Sequence, residues 1–183
     1  MKKRILIFGG TGAIGFSIAK NVKQQGYNPI IISRNKEDLI DKSNKIDCDY
    51  EICDVLEYDK IERISKKYDG EVHGLAYCVG SINLKPLKIT KDDDFIESYK
   101  INTLGAINAV KTNLQSLTNN NGSILFFSTI AVQQGFTNHS IISTSKGAIE
   151  GLTMSLAAEF APKIKVNCIA PSLTDSKMSK KND

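Results

Sequence analysis

Tryptophan is absent from this 183-residue chain, proline occurs four times and histidine twice, and aromatic residues make up only 7%. No apolar run approaches the roughly 18–20 residues that a membrane-spanning helix requires, so no membrane partner is expected. The basic Lys2-Lys3-Arg4 leads into a strand-length apolar run and then glycines rather than a signal-peptide cleavage site, and a cytoplasmic location is expected. The four cysteines, Cys48, Cys53, Cys78 and Cys168, form no C-x-x-C pair and have no histidine at ligand spacing. Each lies in or beside an apolar run and reads as a small buried hydrophobe, so no metal is expected. Charge of one sign is also scarce. Lys and Arg number 24 against 20 Asp and Glu, a net +4 with clusters only at Met1–Arg4 and Lys177–Lys181, which gives nucleic-acid binding no support.

At 41% hydrophobic and 24% charged residues, the chain has apolar material for one globular core and lacks a disorder signature. One domain over residues 1–176 with a disordered tail at 177–183 is expected. Six short apolar runs predict strands: Arg4–Phe8, Pro29–Ser33, Tyr50–Cys53, Val72–Cys78, Ser123–Phe127 and Ile164–Ile169. Apolar residues three and four apart predict helices over Ile14–Gln25, Asp92–Leu117 and Ser140–Phe160. Alternating strand and helix predicts an α/β fold with a doubly wound parallel sheet, whose ligands bind beyond the carboxyl ends of the strands.

The residues at those ends carry the chemistry. Gly9-Gly10-Thr11-Gly12-Ala13-Ile14-Gly15 follows the first strand and opens a helix. Glycines there let backbone N–H groups approach a pyrophosphate in front of a helix N-terminus; the bland alternative is a glycine-rich turn without a ligand. The second strand ends in Ser33-Arg34-Asn35, with no carboxylate to accept from a ribose 2′-hydroxyl. Arg34 with Ser33 suits a 2′-phosphate, which favours NADP(H) over NAD(H); a solvated arginine on a turn is the alternative. Cys53-Asp54-Val55 and Tyr77-Cys78-Val79-Gly80 end the third and fourth strands and would line the adenine and ribose.

The order GGTGAIG, CDV, INTLG, GSILFFST, SKGAIEGLTMSLAAEFAP and IKVNCIAPS resembles the short-chain dehydrogenase/reductase family from Arg4 to about Ser176. The resemblance implies a Rossmann fold, a nicotinamide cofactor and hydride transfer between NADP(H) and a carbonyl or conjugated alkene. It places Asn102 on the family's catalytic asparagine, Thr129 on its serine and Lys146 on its lysine. The implied cofactor contacts are Gly9, Thr11, Gly12, Ile14, Gly15, Ser33, Arg34, Asp54, Val55, Cys78, Val79, Gly80, Lys146, Pro171 and Leu173. It also implies a homodimer or homotetramer built on helices like Gly147–Ala161, and a substrate flap and seventh strand beyond the end of this sequence, where Ser172 stands in place of a usual glycine.

The departure is Ile142, four residues before Lys146, where the family has its tyrosine acid. Three readings follow. His139, seven residues before Lys146, would be a displaced acid if the helix extends to it, or else a surface or capping histidine. Solvent could protonate a reduced alkene or imine while Thr129 and Lys146 polarise the acceptor. Or the chain binds NADP without turnover, as a sensor or scaffold.

Overall fold

Residues 3–172, 174 and 175 are described by a computed structural model of the chain. The predicted disordered tail and Leu173 lie outside the described residues. Strands β1 (Arg4–Phe8), β2 (Asn28–Ser33), β3 (Asp49–Ile52), β4 (Val72–Tyr77), β5 (Ser123–Phe127) and β6 (Lys165–Ile169) form one parallel sheet in the order β3-β2-β1-β4-β5-β6. The chain reverses winding direction between β1 and β4, so the carboxyl ends of these two strands open onto the crevice of a doubly wound sheet.

Alternate residues of each strand face opposite sides of the sheet, and both sides are apolar because helices cover both. Ile7, Ile31 and Ala76, in register across β1, β2 and β4, pack with Ala19 of α1 (Ala13–Gln24) and Leu39 of α2 (Lys36–Ile46). On the other side Leu6, Phe8, Ile30, Leu75 and Phe126 pack with α3 (Tyr58–Lys67), with α5 (Gly105–Asn119), which α4 (Asp92–Tyr99) precedes, and with α7 (Ser140–Phe160). Each fully buried aliphatic side chain contributes roughly 1.5–3 kcal/mol. The short α6 (Ala131–Gln134) precedes α7.

Two departures from the sequence reading bear on the site. The predicted single helix over Asp92–Leu117 is interrupted by a π-helical turn at Lys100–Leu104. There the Tyr77 hydroxyl, arriving from β4, donates to Ile101 O at 2.6 Å. Gly105 makes room for it, since a Cβ at that position would stand 2.2 Å from Tyr77 Oη. In addition, α7 begins at Ser140, leaving His139 at the N-cap rather than within the helix.

Candidate functional site

The first turn of α1 meets the glycine loop at the end of β1. Gly9 has φ +77°, a left-handed conformation that glycine adopts freely, and its carbonyl accepts from Gly12 N at 3.0 Å. Gly12 is the N-cap of α1, and the helix's first N–H groups have no partner within the helix itself. A Cβ on Gly12 would meet only Gly9 O, at 3.3 Å, whereas one on Gly15 would stand 2.4 Å from the same oxygen. Gly12 therefore keeps the cradle open, and Gly15 permits the close packing of helix on loop.

Ten of the sequence-predicted positions, Gly9, Thr11, Gly12, Ser33, Arg34, Asp54, Val55, Cys78, Val79 and Gly80, line one crevice of about 250 Å³ at the switch point. At its outer end Thr11 Oγ1 donates to Ser33 Oγ at 3.0 Å, and Arg34 Nη1 lies 3.6 Å from Asp54 Oδ2. Two local caps fix these side chains. Asn35 Oδ1 accepts from Asp38 N at 2.9 Å to start α2 directly after Arg34, and Asp54 Oδ1 accepts from Leu56 N at 3.0 Å. The Arg34 pair is largely solvated and holds the guanidinium only weakly, leaving it free to meet an anion.

At the inner end, Asn102 and Lys146 converge on Gly80. A Cβ there would stand 2.9 Å from Asn102 Oδ1 and 3.5 Å from Lys146 Nζ. Asn102 is fully buried in the π turn; its Nδ2 donates to Ser98 O at 2.9 Å, and Oδ1 accepts a long bond from Ser81 N at 3.4 Å. Hydroxyls lock this turn to α7: Ser98 Oγ lies 2.9 Å from Ser145 Oγ, and Thr103 Oγ1 donates to Ser145 O at 2.9 Å. Lys146 is 8% exposed, and burial lowers its amine from the usual lysine range to about 8. The Cys78 thiol nearby is pushed up to about 12, also by burial.

Thr129 follows β5, and its Oγ1 accepts from Ala131 N at 3.3 Å. Its neighbour Ser128 donates to Glu150 Oε1 at 2.5 Å and lies 3.5 Å from Lys146 O, tying the end of β5 to the turn of α7 that bears the lysine. Pro171 O accepts from Ile130 N at 3.3 Å, which brings the segment after β6 beside Thr129. Ile142 is buried on α7, one turn before Lys146.

Other predicted residues lie elsewhere. The Ile14 side chain faces a second, shallow depression with Leu125, Phe127 and Ile169. His139 Nδ1 lies 2.7 Å from Thr137 O, and its ring packs on Phe136 with centroids 5.4 Å apart. Cys53, at the predicted third strand end, also lines the crevice, whereas sequence reasoning missed Ser81, Ile32 and Ile101 on its wall, and Glu150. Ser81 follows a strand end and Glu150 is one helical turn past Lys146, so spacing alone carried a signal for both.

A crevice at the switch point, with a buried lysine and asparagine beside its wall at Gly80, is thus built on a doubly wound parallel sheet, and known proteins resemble the chain in sequence and fold. The family model described as short chain dehydrogenase matches residues 3–183. A 3-oxoacyl-[acyl-carrier-protein] reductase of Mus musculus is 30% identical over 187 residues, covering 98% of this chain and 79% of that protein. The carbonyl reductase family member 4 of Danio rerio is 28% identical, covering 98% of this chain and 78% of that protein. Among solved structures, ElxO with NADP bound superposes with a TM-score of 0.90 at 28% identity, covering 100% of this chain and 78% of that one. With the glycine loop, the crevice and the Asn102–Lys146 pair in one sheet, and a family match over nearly its whole length, the chain belongs to the short-chain dehydrogenases.

Proposed function

We propose that the protein is an oxidoreductase that uses NADP(H) in preference to NAD(H) and moves a hydride between the nicotinamide and a carbonyl or conjugated alkene. The observation that carries this reading is the crevice itself: an arginine with two hydroxyls at its outer end, an open glycine cradle in the middle, and a buried lysine and asparagine beside its wall at Gly80. The residues fit the cofactor, because side chains are missing where a pyrophosphate needs backbone and a cation stands where a 2′-phosphate needs charge.

When bound, the nicotinamide supplies or accepts the hydride. Gly9 and Gly12 hold the pyrophosphate at the start of α1, while Thr11, Ser33 and Arg34 hold the 2′-phosphate. Asp54 and Val55 bound the adenine, and Cys78, Val79 and Gly80 form the wall beside the ribose. Lys146 and Asn102 fix the nicotinamide ribose and the groups around it, and the Thr129 hydroxyl polarises the acceptor oxygen. A structure of ElxO in a tyrosine-to-phenylalanine variant with NADPH bound shows that this relative keeps the cofactor after that substitution.

Separate titrations with NADPH and NADH test the reading. NADPH is expected to bind at least about tenfold more tightly, since the charge-assisted contact to the 2′-phosphate contributes roughly 1.5–3 kcal/mol. Arg34→Asp should invert the order, and equal affinities in the parent would remove Arg34 from the site. Ile142 favours a second reading, a binder without turnover, which tight NADPH binding with no reduction of ketones, enones or imines would establish.

A further inference from the structure

The Lys146 amine is buried without a protein partner. Its residue is 8% exposed, and no hydrogen bond or ion pair reaches Nζ among the described residues. A buried ammonium normally has such a partner, because desolvating an unpaired charge is costly. The amine lies instead beside Gly80, a residue of the crevice wall: a Cβ on Gly80 would stand 3.5 Å from Nζ and 2.9 Å from Asn102 Oδ1. One turn earlier on the same helix, Ile142 is 4% exposed and has no proton to give.

We propose that Lys146 itself hands the proton to the oxygen of a carbonyl substrate, with no side-chain hydroxyl at position 142 between amine and substrate. The proposal rests on the nicotinamide reading and deepens it. The groups facing the amine leave it this role. The Cys78 thiol just past β4, raised to about 12, and the Cys168 thiol on β6, also raised by burial, are weak acids. Glu150, the next turn of α7, is engaged by Ser128 at 2.5 Å. The amine at about 8 is matched to proton transfer near neutral pH. In the reduction, the carbonyl carbon gains a hydride from the reduced nicotinamide, which is thereby oxidised. The carbonyl π bond breaks, the oxygen takes a proton from Nζ, and the neutral amine recovers its proton from water.

Two measurements on the full chain test this. The first is calorimetric titration of NADPH in HEPES and in Tris between about pH 7 and pH 9, which reads protons exchanged on binding. A proton exchange centred near pH 8 that disappears in Lys146→Met is expected, and binding with no proton exchange would overturn the proposal. The second is the pH profile of kcat for NADPH-dependent reduction of a 3-oxoacyl thioester. Turnover should fall above about pH 8, and Lys146→Arg should remove that limb while lowering kcat at least about 100-fold. An unmoved limb in Lys146→Arg, a limb that vanishes in His139→Ala, or no reduction with NADPH bound would each overturn it. Failure of NADPH to bind at all would mark the failure of the nicotinamide reading instead.

Discussion

Lys146 carries its amine into a site that desolvates it, and this has a measurable effect on the protein without cofactor. Its folded pKa of about 8 lies below the unfolded value near 10.5, so the unfolded state binds more protons between those pH values. The contribution of this group to stability therefore rises with pH across that window, and is lost as pH falls through it. Lys146→Met should stabilise the cofactor-free protein at pH 7 by up to about 3 kcal/mol, with the difference vanishing above about pH 10. Urea unfolding of both proteins at the two pH values checks this, and a pH-independent difference would contradict the burial of a free amine. At Gly12 the expectation is opposite in kind. Gly12→Val should abolish NADPH binding in a domain with a native circular dichroism spectrum, because the new side chain enters the cradle, where its Cβ meets only Gly9 O, at 3.3 Å. Unchanged affinity would make the loop purely structural.

Among the elements, the π turn at Lys100–Leu104 does most to place the site. An inserted residue in a helix frees a carbonyl, and here Ile101 O is taken by Tyr77 Oη at 2.6 Å. Tyr77→Phe leaves that carbonyl without its partner and should cost about 1–3 kcal/mol. Hydrogen exchange should show the loss: amides of the π turn and of early α5 should exchange faster relative to those of β1. Uniform acceleration across the sheet would mean that the hydroxyl stabilises the core in general and not this turn. The α7 helix is tied to the same place from the other side by Ser98, Thr103 and Ser128, so Asn102 and Lys146 are held against each other by elements far apart in sequence.

Across the whole molecule, apolar side chains remain exposed at several places, two of which bear on association. Met154 is 70% exposed on α7, and Ile96, Tyr99 and Leu104 are 48%, 43% and 39% exposed along α4 and the π turn. Around β6, an edge strand among the described residues, Ile169 is 49% exposed beside Leu125 and Phe127. Apolar helix faces and an unpaired edge both favour association. The chain should sediment as a dimer or larger species at micromolar concentration, and Met154→Lys should shift it toward monomer if the α7 face carries the contact. A compact monomer across that range would contradict the expectation. No helix among the described residues is long and apolar enough to cross a membrane.

The amino-acid sequence by itself determined the strand-helix alternation, the glycine loop and the residues at the strand ends. These follow from signals within a few positions of one another: continuous apolar runs, helical spacing, and glycines between a strand and a helix. Ten predicted positions consequently meet in one crevice. The π turn escaped the sequence reading because apolar periodicity over Asp92–Leu117 does not register one inserted residue, and the hydroxyl that stabilises it comes from β4. The Ser128–Glu150 bond and the burial of Lys146 were likewise decided only by tertiary structure. A hydrogen bond between a strand end and a helix, and the desolvation of an amine among β4, β6 and α7, arise only when segments distant in the chain are packed together. Local spacing could name Lys146; its unpartnered, lowered amine depended on what the fold placed around it.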